Sequence, residues 1–442
     1  MKIKQVASSL IHGPSAMRPV TWVPSTYLAK GLLVVIITCV TLVMGKRMGL
    51  TNTETAFFSS CLYLPFLLKP CFRMLFTSPL VRRWCVVAAE ACTALALYHA
   101  GTCLTMRHGT TPALIALALV ALCGGVHNSA VDDVFYYQLR RAQRAAWVNV
   151  GLLFYNLATV VGMGVLIMLA GNMEVLTRNL GEAWNRVFFI GSMIYMVLAV
   201  VHLFALPSFE PAAVRSSLRW DELQGAARSL WQKPGKWAAL AFILFYPAHE
   251  SFLYRGSMLF MVDKGSCGGL SMGPQEVAFS LGTVGAFAFM LGGLVGKKMV
   301  TRGGLKAWLW PMALAFTLSD LVYVYLSYAM PANVIRISVL AGIEQFFSGF
   351  GLSAYLLFII YFSQGADKKL HYDLCLSCLL LGVMVCGMLM GWMQDMLGYR
   401  HYFVVVACLS VLTYGVCAFV RIPPDYGKHQ DGTSTAHYPD GF

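Results

Sequence analysis

The chain reads as an all-α membrane protein of twelve transmembrane helices set in two six-helix bundles. Three observations lead there. Hydrophobic residues make up 58% of its 442 residues and charged residues only 12%, against about 45–50% and about 25% in soluble domains. Apolar stretches of membrane length recur from end to end; about 20 helical residues cross roughly 30 Å of hydrocarbon. The longest polar interval, residues 208–234, follows the sixth stretch and is too short for a soluble domain.

The expected spans are 24–44, 53–76, 84–104, 112–138, 145–170, 186–206, 237–262, 275–296, 305–328, 333–362, 372–396 and 402–420. They define an N-terminal bundle (1–207), a linker (208–236), a C-terminal bundle (237–421) and a disordered tail (422–442) rich in Gly, Pro and Asp. Span one opens at Trp22 and carries Lys30. Span two holds Pro65, Lys69, Pro70 and Arg73, and span three holds Glu90. Span four contains His127, Asn128, Asp132 and Asp133. Spans five and eight contain glycine pairs, Gly162 with Gly164 and Gly292 with Gly293, suited to close helix contact. Span nine carries Asp320, span ten Glu344 and Gln345, and span eleven Asp373 and Asp395 near its ends. Trp22, Trp84, Trp237 and Tyr402 read as interface anchors.

Net charge is +13. The bases cluster in loops, so topology rather than nucleic acid accounts for them. With both ends on one side, 21 of the 33 Lys and Arg fall on that side and 8 on the other, which puts both termini in the cytoplasm. The basic N-terminus lacks a sustained apolar run, so no cleaved signal peptide is expected. Thirteen cysteines are scattered. The pair Cys375 and Cys378 sits within a lipid-length helix without a second pair or a nearby His, and reads as packing rather than a metal site. No metal and no cofactor are expected.

The most informative stretch is WAALAFILFYPAHESFLYRGSMLFMV, residues 237–262. His249, Glu250, Tyr254 and Arg255 interrupt it. An acid in the middle of a membrane helix costs roughly 2.5–3.5 kcal/mol on insertion scales, and persists where it meets a cavity, a partner or a substrate. Glu250 and Tyr254 share a helix face. Glu250 is the leading candidate for proton coupling or substrate binding, the alternative being a fixed salt bridge to Arg255. Glu344 faces it from span ten, or else makes an inter-helix hydrogen bond. Asp132 and Asp133 point about 100° apart, so Asp132 is the better cavity residue and Asp133 pairs with a neighbour such as Arg140 or Arg141. Lys30 either neutralises an acid, binds an anion, or snorkels to the surface. His127 and His249 are proton relays or packed donors. Lys69 is a gating or structural base and Arg73 an inter-helix anchor.

Several segments resemble a known family. Gly292, Gly293, Gly296, Lys297, Lys298, Arg302, Gly303 and Gly304 form a glycine-and-basic loop similar to that of the major facilitator superfamily. Tyr63-Leu64-Pro65 with Leu68-Lys69-Pro70, the run from Thr21 to Gly31, His127 to Asp132, and the second half from Gly304 to Pro311 and from Leu397 to Phe403 resemble the AmpG-type muropeptide permeases. The resemblance implies the major facilitator fold, with two pseudo-symmetric halves and spans one, four, seven and ten around a central site near the bilayer midplane. It further implies a monomeric carrier in a bacterial inner membrane that imports cell-wall muropeptides or related amino-sugar peptides with protons. Three positions depart from the family pattern: Lys30 and Asn128 stand where acids are usual, and Leu80-Val81-Arg82-Arg83 lacks an aspartate. A relative that senses or binds partners without transport is the alternative. With no nucleotide loop, HExxH or repeated metal-ligand spacing, an enzyme is not expected.

Overall fold

A bilayer offers no water to backbone amides, so apolar runs of this length are driven to helix. The computed structural model describes residues 18–207 and 218–428, and its regular elements there are all helical. The basic start, the first part of the linker and most of the tail lie outside these residues. The passes are Pro19–Arg47 (span one), the bent pair Asn52–Leu67 and Lys69–Leu75 (two), Pro79–Leu104 (three), Thr110–Gln138 (four), Ala142–Thr177 (five) and Leu180–Ala205 (six). After the linker helix Trp220–Trp231 come Lys236–Phe245 with Ala248–Val262 (seven), Pro274–Gly303 (eight), Leu305–Ala329 (nine), Val334–Phe362 (ten) and Lys368–Phe419 (eleven and twelve). Among the described residues, eight helices are long and apolar enough to cross a membrane alone, or nine with the bent pair. Span three, the divided span seven and the second leg of Lys368–Phe419 are the further segments of the expected twelve.

That last stretch turns at Gly398, whose φ of 67° and ψ of 161° lie outside the helical region. Residues on either side of the turn reach one place. Gly387 lies against Arg255, and the Tyr402 hydroxyl donates to the Phe252 carbonyl at 2.8 Å. A straight helix of that length would part them by about 22 Å.

Outward-facing side chains are large and apolar, among them Leu95, Val197, Phe204, Leu294, Ile335 and Trp392. Water would drive such a surface to aggregate, whereas lipid solvates it. The chain is a multi-pass membrane protein.

The two halves meet along two seams. Span two packs against span eleven, and span five against span eight. At the second seam a Cβ on Gly282 would lie 2.4 Å from the Gly164 backbone nitrogen, so only glycine permits the approach. Within the C-terminal half, Gly292 and Gly349 bring spans eight and ten together. A Cβ on Gly292 would meet the Phe346 carbonyl oxygen at 1.9 Å. Gly296 continues this contact against Ser353, while a Cβ on Gly293 would find nothing nearer than 3.9 Å. The expected loop over 292–306 is therefore mostly helix, ending at Gly303, with Gly304 (φ 84°) as the turn. Lys297, Lys298 and Arg302 sit in its final turns, where cations favour the negative end of the helix dipole. Arg302 makes no ion pair among the described residues.

Span seven is broken where Pro247 stands. Proline has no N–H, so the carbonyl four residues back loses its donor. The Tyr355 hydroxyl from span ten donates to that carbonyl, Ile243, at 2.7 Å, and Thr413 from span twelve donates to Tyr246 at 3.0 Å. The break fixes where Glu250 points. Replacing Tyr355 with phenylalanine leaves the Ile243 carbonyl buried and unpaired. We expect a stability loss of about 1–3 kcal/mol, read as a lower melting temperature in detergent.

Candidate functional site

Glu250 sits in the first turn after the break and is buried. It does not pair with Arg255. The Ser348 hydroxyl of span ten lies 3.1 Å from Glu250 Oε2 and 2.8 Å from Glu344 Oε1, and the Gln345 amide donates to Glu344 Oε2 at 3.0 Å. A serine hydroxyl has one proton and can donate to only one carboxylate at a time. Both contacts close together only when the other carboxyl brings a proton of its own. Neither glutamate takes part in an ion pair among the described residues. Beside them, His249 Nδ1 bonds Asp320 Oδ2 of span nine at 2.7 Å, while His249 Nε2 and Asp320 Oδ1 have no hydrogen-bond partner among the described residues.

Tyr254 and Arg255 turn to the other half. The Tyr254 hydroxyl meets Cys39 Sγ of span one at 3.1 Å, and the Arg255 guanidinium lies 5.1 Å from the ring centroid of Tyr63 in span two. Nε and Nη2 of Arg255 find no hydrogen-bond partner among the described residues. The fixed Glu250–Arg255 salt bridge is thus not formed.

The N-terminal half gathers the opposite charge. Lys30 of span one pairs with Asp132 Oδ1 of span four. Lys69 reaches Asp132 Oδ2 at 2.6 Å and Asp373 of span eleven at 2.9 Å. Span two bends beside Lys69, between Pro65 and Pro70, and the exposed carbonyls of Leu67 and Lys69 accept from Ser377 and Ser129. Arg73 bridges Asp133 (2.9 Å) and Asp373 (3.0 Å), Lys369 reaches Asp133 at 2.7 Å, and Arg82 lies 3.7 Å from it. Lys30 therefore neutralises an acid rather than snorkelling. Asp132 and Asp133 diverge as expected. The partners of Asp133, however, come from spans two, three and eleven rather than Arg140, which lies past the end of span four at Gln138. Arg73 is the inter-helix anchor the sequence suggested, and its partner Asp373 lies 300 residues away.

His127 belongs to a separate buried set. Its Nε2 lies 3.0 Å from Glu90 Oε1, and His202 Nδ1 lies 2.8 Å from the same oxygen, with Ser25 on His202 Nε2 at 2.9 Å. His202 escaped notice because a lone histidine in an apolar span carries no signal of its own. On the face opposite the linker, a second polar cluster joins the halves. Lys46 pairs with Asp263 at 2.7 Å, Asn52 donates to Asp263 at 2.9 Å, Tyr399 donates to Asp263 at 2.5 Å, and Thr53 donates to Asp395 at 2.5 Å. These residues stand at span ends, where polar side chains are ordinary, and apart from Asp395 nothing in the local pattern marks them.

Spans one and four are thus joined by the Lys30–Asp132 ion pair, spans seven and ten by the Glu250–Ser348–Glu344 carboxyls, and spans one and seven meet at Cys39 and Tyr254. Two helical halves joined along paired seams form the major facilitator fold. The chain aligns with the crystal structure of the nucleoside transporter NupG over 91% of its own length and 99% of that chain, with a TM-score of 0.70 at 14% identity. It aligns with a bacterial homologue of the human lysosomal transporter Spinster, inward-facing and unoccupied, over 92% and 97%, with a TM-score of 0.58 at 15% identity. In sequence it resembles the AmpG type: it is 20% identical over 305 residues to the Rickettsia typhi protein named "Putative transporter AmpG 2", covering 69% of this chain and 70% of that one. No protein-family profile matches the chain. The proteins it resembles are transporters, not enzymes.

Proposed function

We propose that the chain is a secondary active transporter that works by alternating access. Its halves, residues 1–207 and 237–421, rock about the site between spans one, four, seven and ten, with residues 208–236 as a tether. Protons drive the cycle through Glu250 and Glu344. The observation that carries this reading is the Glu250–Ser348–Glu344 bridge: two carboxyls without a cation, joined by a hydroxyl that satisfies only one of them unless a proton is shared. Such a pair binds and releases protons as its surroundings change from closed to open. The cation-lined half opposite, with Lys30, Lys69 and Asp132, contacts the substrate. His127 and His249 relay protons from their bonds to Glu90 and Asp320. Tyr254, Arg255 and Gln345 line the same space.

The likeness to the AmpG type supports import of muropeptides or related amino-sugar peptides, by a monomer in a bacterial inner membrane with both termini in the cytoplasm. The polar clusters at both faces act as the two gates. Lys69 and Arg73 belong to the gate on the linker face, and Gly292, Gly296 and Arg302 form the packed and basic end of span eight beside it. Gly293 has a lesser part, given its open surroundings.

The test is uptake into proteoliposomes under an imposed inward proton gradient, with labelled anhydro-muropeptides and simple amino sugars offered in parallel. A proton moving down 100 mV contributes about 2.3 kcal/mol, enough for roughly fiftyfold accumulation. Gradient-dependent accumulation of the muropeptides supports the reading. Uptake of amino sugars alone changes the substrate and leaves the mechanism. Binding of these compounds without flux points to a sensor.

A further inference from the structure

The ion pairs between the halves set more cations than carboxylates against one another. Four cations, Lys30, Lys69, Arg73 and Lys369, meet three carboxylates, Asp132, Asp133 and Asp373. Arg82 approaches the same set, 3.7 Å from Asp133. Asp133, Asp373 and Arg73 are enclosed, with side chains 3–5% exposed. Lys30, Lys69 and Asp132 are the accessible end of the network, at 16%, 15% and 19%. Asp132 gives one oxygen to each lysine, so a single carboxylate holds two ammonium groups. Lys69 has a second ion pair, with Asp373, whereas Lys30 makes only the one with Asp132 among the described residues. The carboxyls of span seven and span ten do not supply the missing charge, because Glu250 and Glu344 make no ion pair there. A buried cation without a full partner is costly in an apolar bundle. It persists when something else completes it.

We propose that Lys30 and Lys69 receive an anionic group of the transported molecule, a carboxylate or a phosphate ester. Its oxygens take up the charge that Asp132 leaves uncompensated. The inference rests on the carrier reading and narrows it: the substrate is an anion held by the N-terminal half, while protons are handled by the C-terminal half. The Tyr27 ring lies beside the same ammonium, 5.4 Å from Lys30 Nζ. A neutral sugar of the same size lacks the group that repays displacement of Asp132.

The experiment is titration calorimetry on the full chain in detergent with three probes: N-acetylmuramate for a carboxylate, N-acetylglucosamine 6-phosphate for a phosphate, and N-acetylglucosamine as the neutral control. At least one anion is expected to bind tenfold or more tightly than the neutral sugar, and which one does so names the group. Lys30→Gln is expected to erase that preference, and Lys30→Arg to keep it within about threefold. Asp132→Asn, which removes the competitor, is expected to tighten anion binding several-fold. A misfolded variant cannot produce that gain. Equal binding of charged and neutral probes, no binding of either anion, a preference that survives Lys30→Gln, or weaker anion binding in Asp132→Asn each overturns the proposal. Proteoliposome uptake separates the two readings. Gradient-driven uptake without anion preference keeps the carrier and rejects the anion site. Anion binding that depends on Lys30, without uptake, keeps the site and rejects the carrier.

Discussion

Replacing Glu250 with glutamine is expected to collapse gradient-driven accumulation from tens of fold to about one, while exchange of substrate across the membrane continues. The substitution is mild in shape. A glutamine amide both donates and accepts, so it can keep the contact with Ser348 that now closes at 3.1 Å. It cannot exchange a proton. The driving energy, about 2.3 kcal/mol per 100 mV, then has no route into the cycle, and only downhill movement is left. Glu344→Gln is expected to act in the same direction, because the two carboxyls share one hydroxyl at 2.8 and 3.1 Å. Combining both substitutions should add little, as for any two members of one unit. Counterflow of labelled against unlabelled substrate is the control, since it needs alternating access and no gradient. Loss of counterflow in Glu250→Gln would assign the residue to substrate binding instead.

The largest loss of stability is expected from Asp133→Asn. Asp133 is buried and stands among Arg73 at 2.9 Å, Lys369 at 2.7 Å and Arg82 at 3.7 Å. Removing one partner of a buried ion pair leaves an uncompensated charge, at about 3–5 kcal/mol. Here the bases also lose what keeps their like charges apart. The expected result is a melting temperature in detergent that falls by several degrees or more, with partial recovery when Lys369→Gln is added. Because Lys369 belongs to span eleven and Asp133 to span four, the same change weakens the joint between the halves on the linker face. Labelling of a cysteine introduced near Tyr137 should therefore speed up in Asp133→Asn. An unchanged melting temperature would mean that water already screens this cluster.

The spans were legible because apolar runs of fixed length have one physical meaning in a bilayer. The break in span seven has an equally local cause, since Pro247 removes a donor wherever it stands. What the sequence could not supply was pairing. Lys30 with Asp132, Lys69 with Asp373 and Lys46 with Asp263 join residues far apart in the chain. Nothing in the local pattern tells an ion pair within one half from one between halves. Arg255 shows the consequence. Five residues from Glu250 it looked like its natural partner, yet those positions point away from each other on a helix, and the guanidinium went to Tyr63. The glycine-and-basic stretch after Gly292 looked like a loop by composition. Its glycines serve contact with span ten, and its bases suit the end of a helix, so the helix simply runs longer.

In the proposed cycle substrate and proton move together through one site between the halves. The measurement closest to that coupling is substrate-driven proton movement without an imposed gradient. Proteoliposomes would hold a pH-sensitive dye, and substrate would be added outside. The lumen is expected to acidify as substrate enters, in proportion to uptake, and Glu250→Gln is expected to remove the acidification while substrate still exchanges. Substrate entry with a steady internal pH, or acidification unchanged in Glu250→Gln, would contradict the proposed cycle.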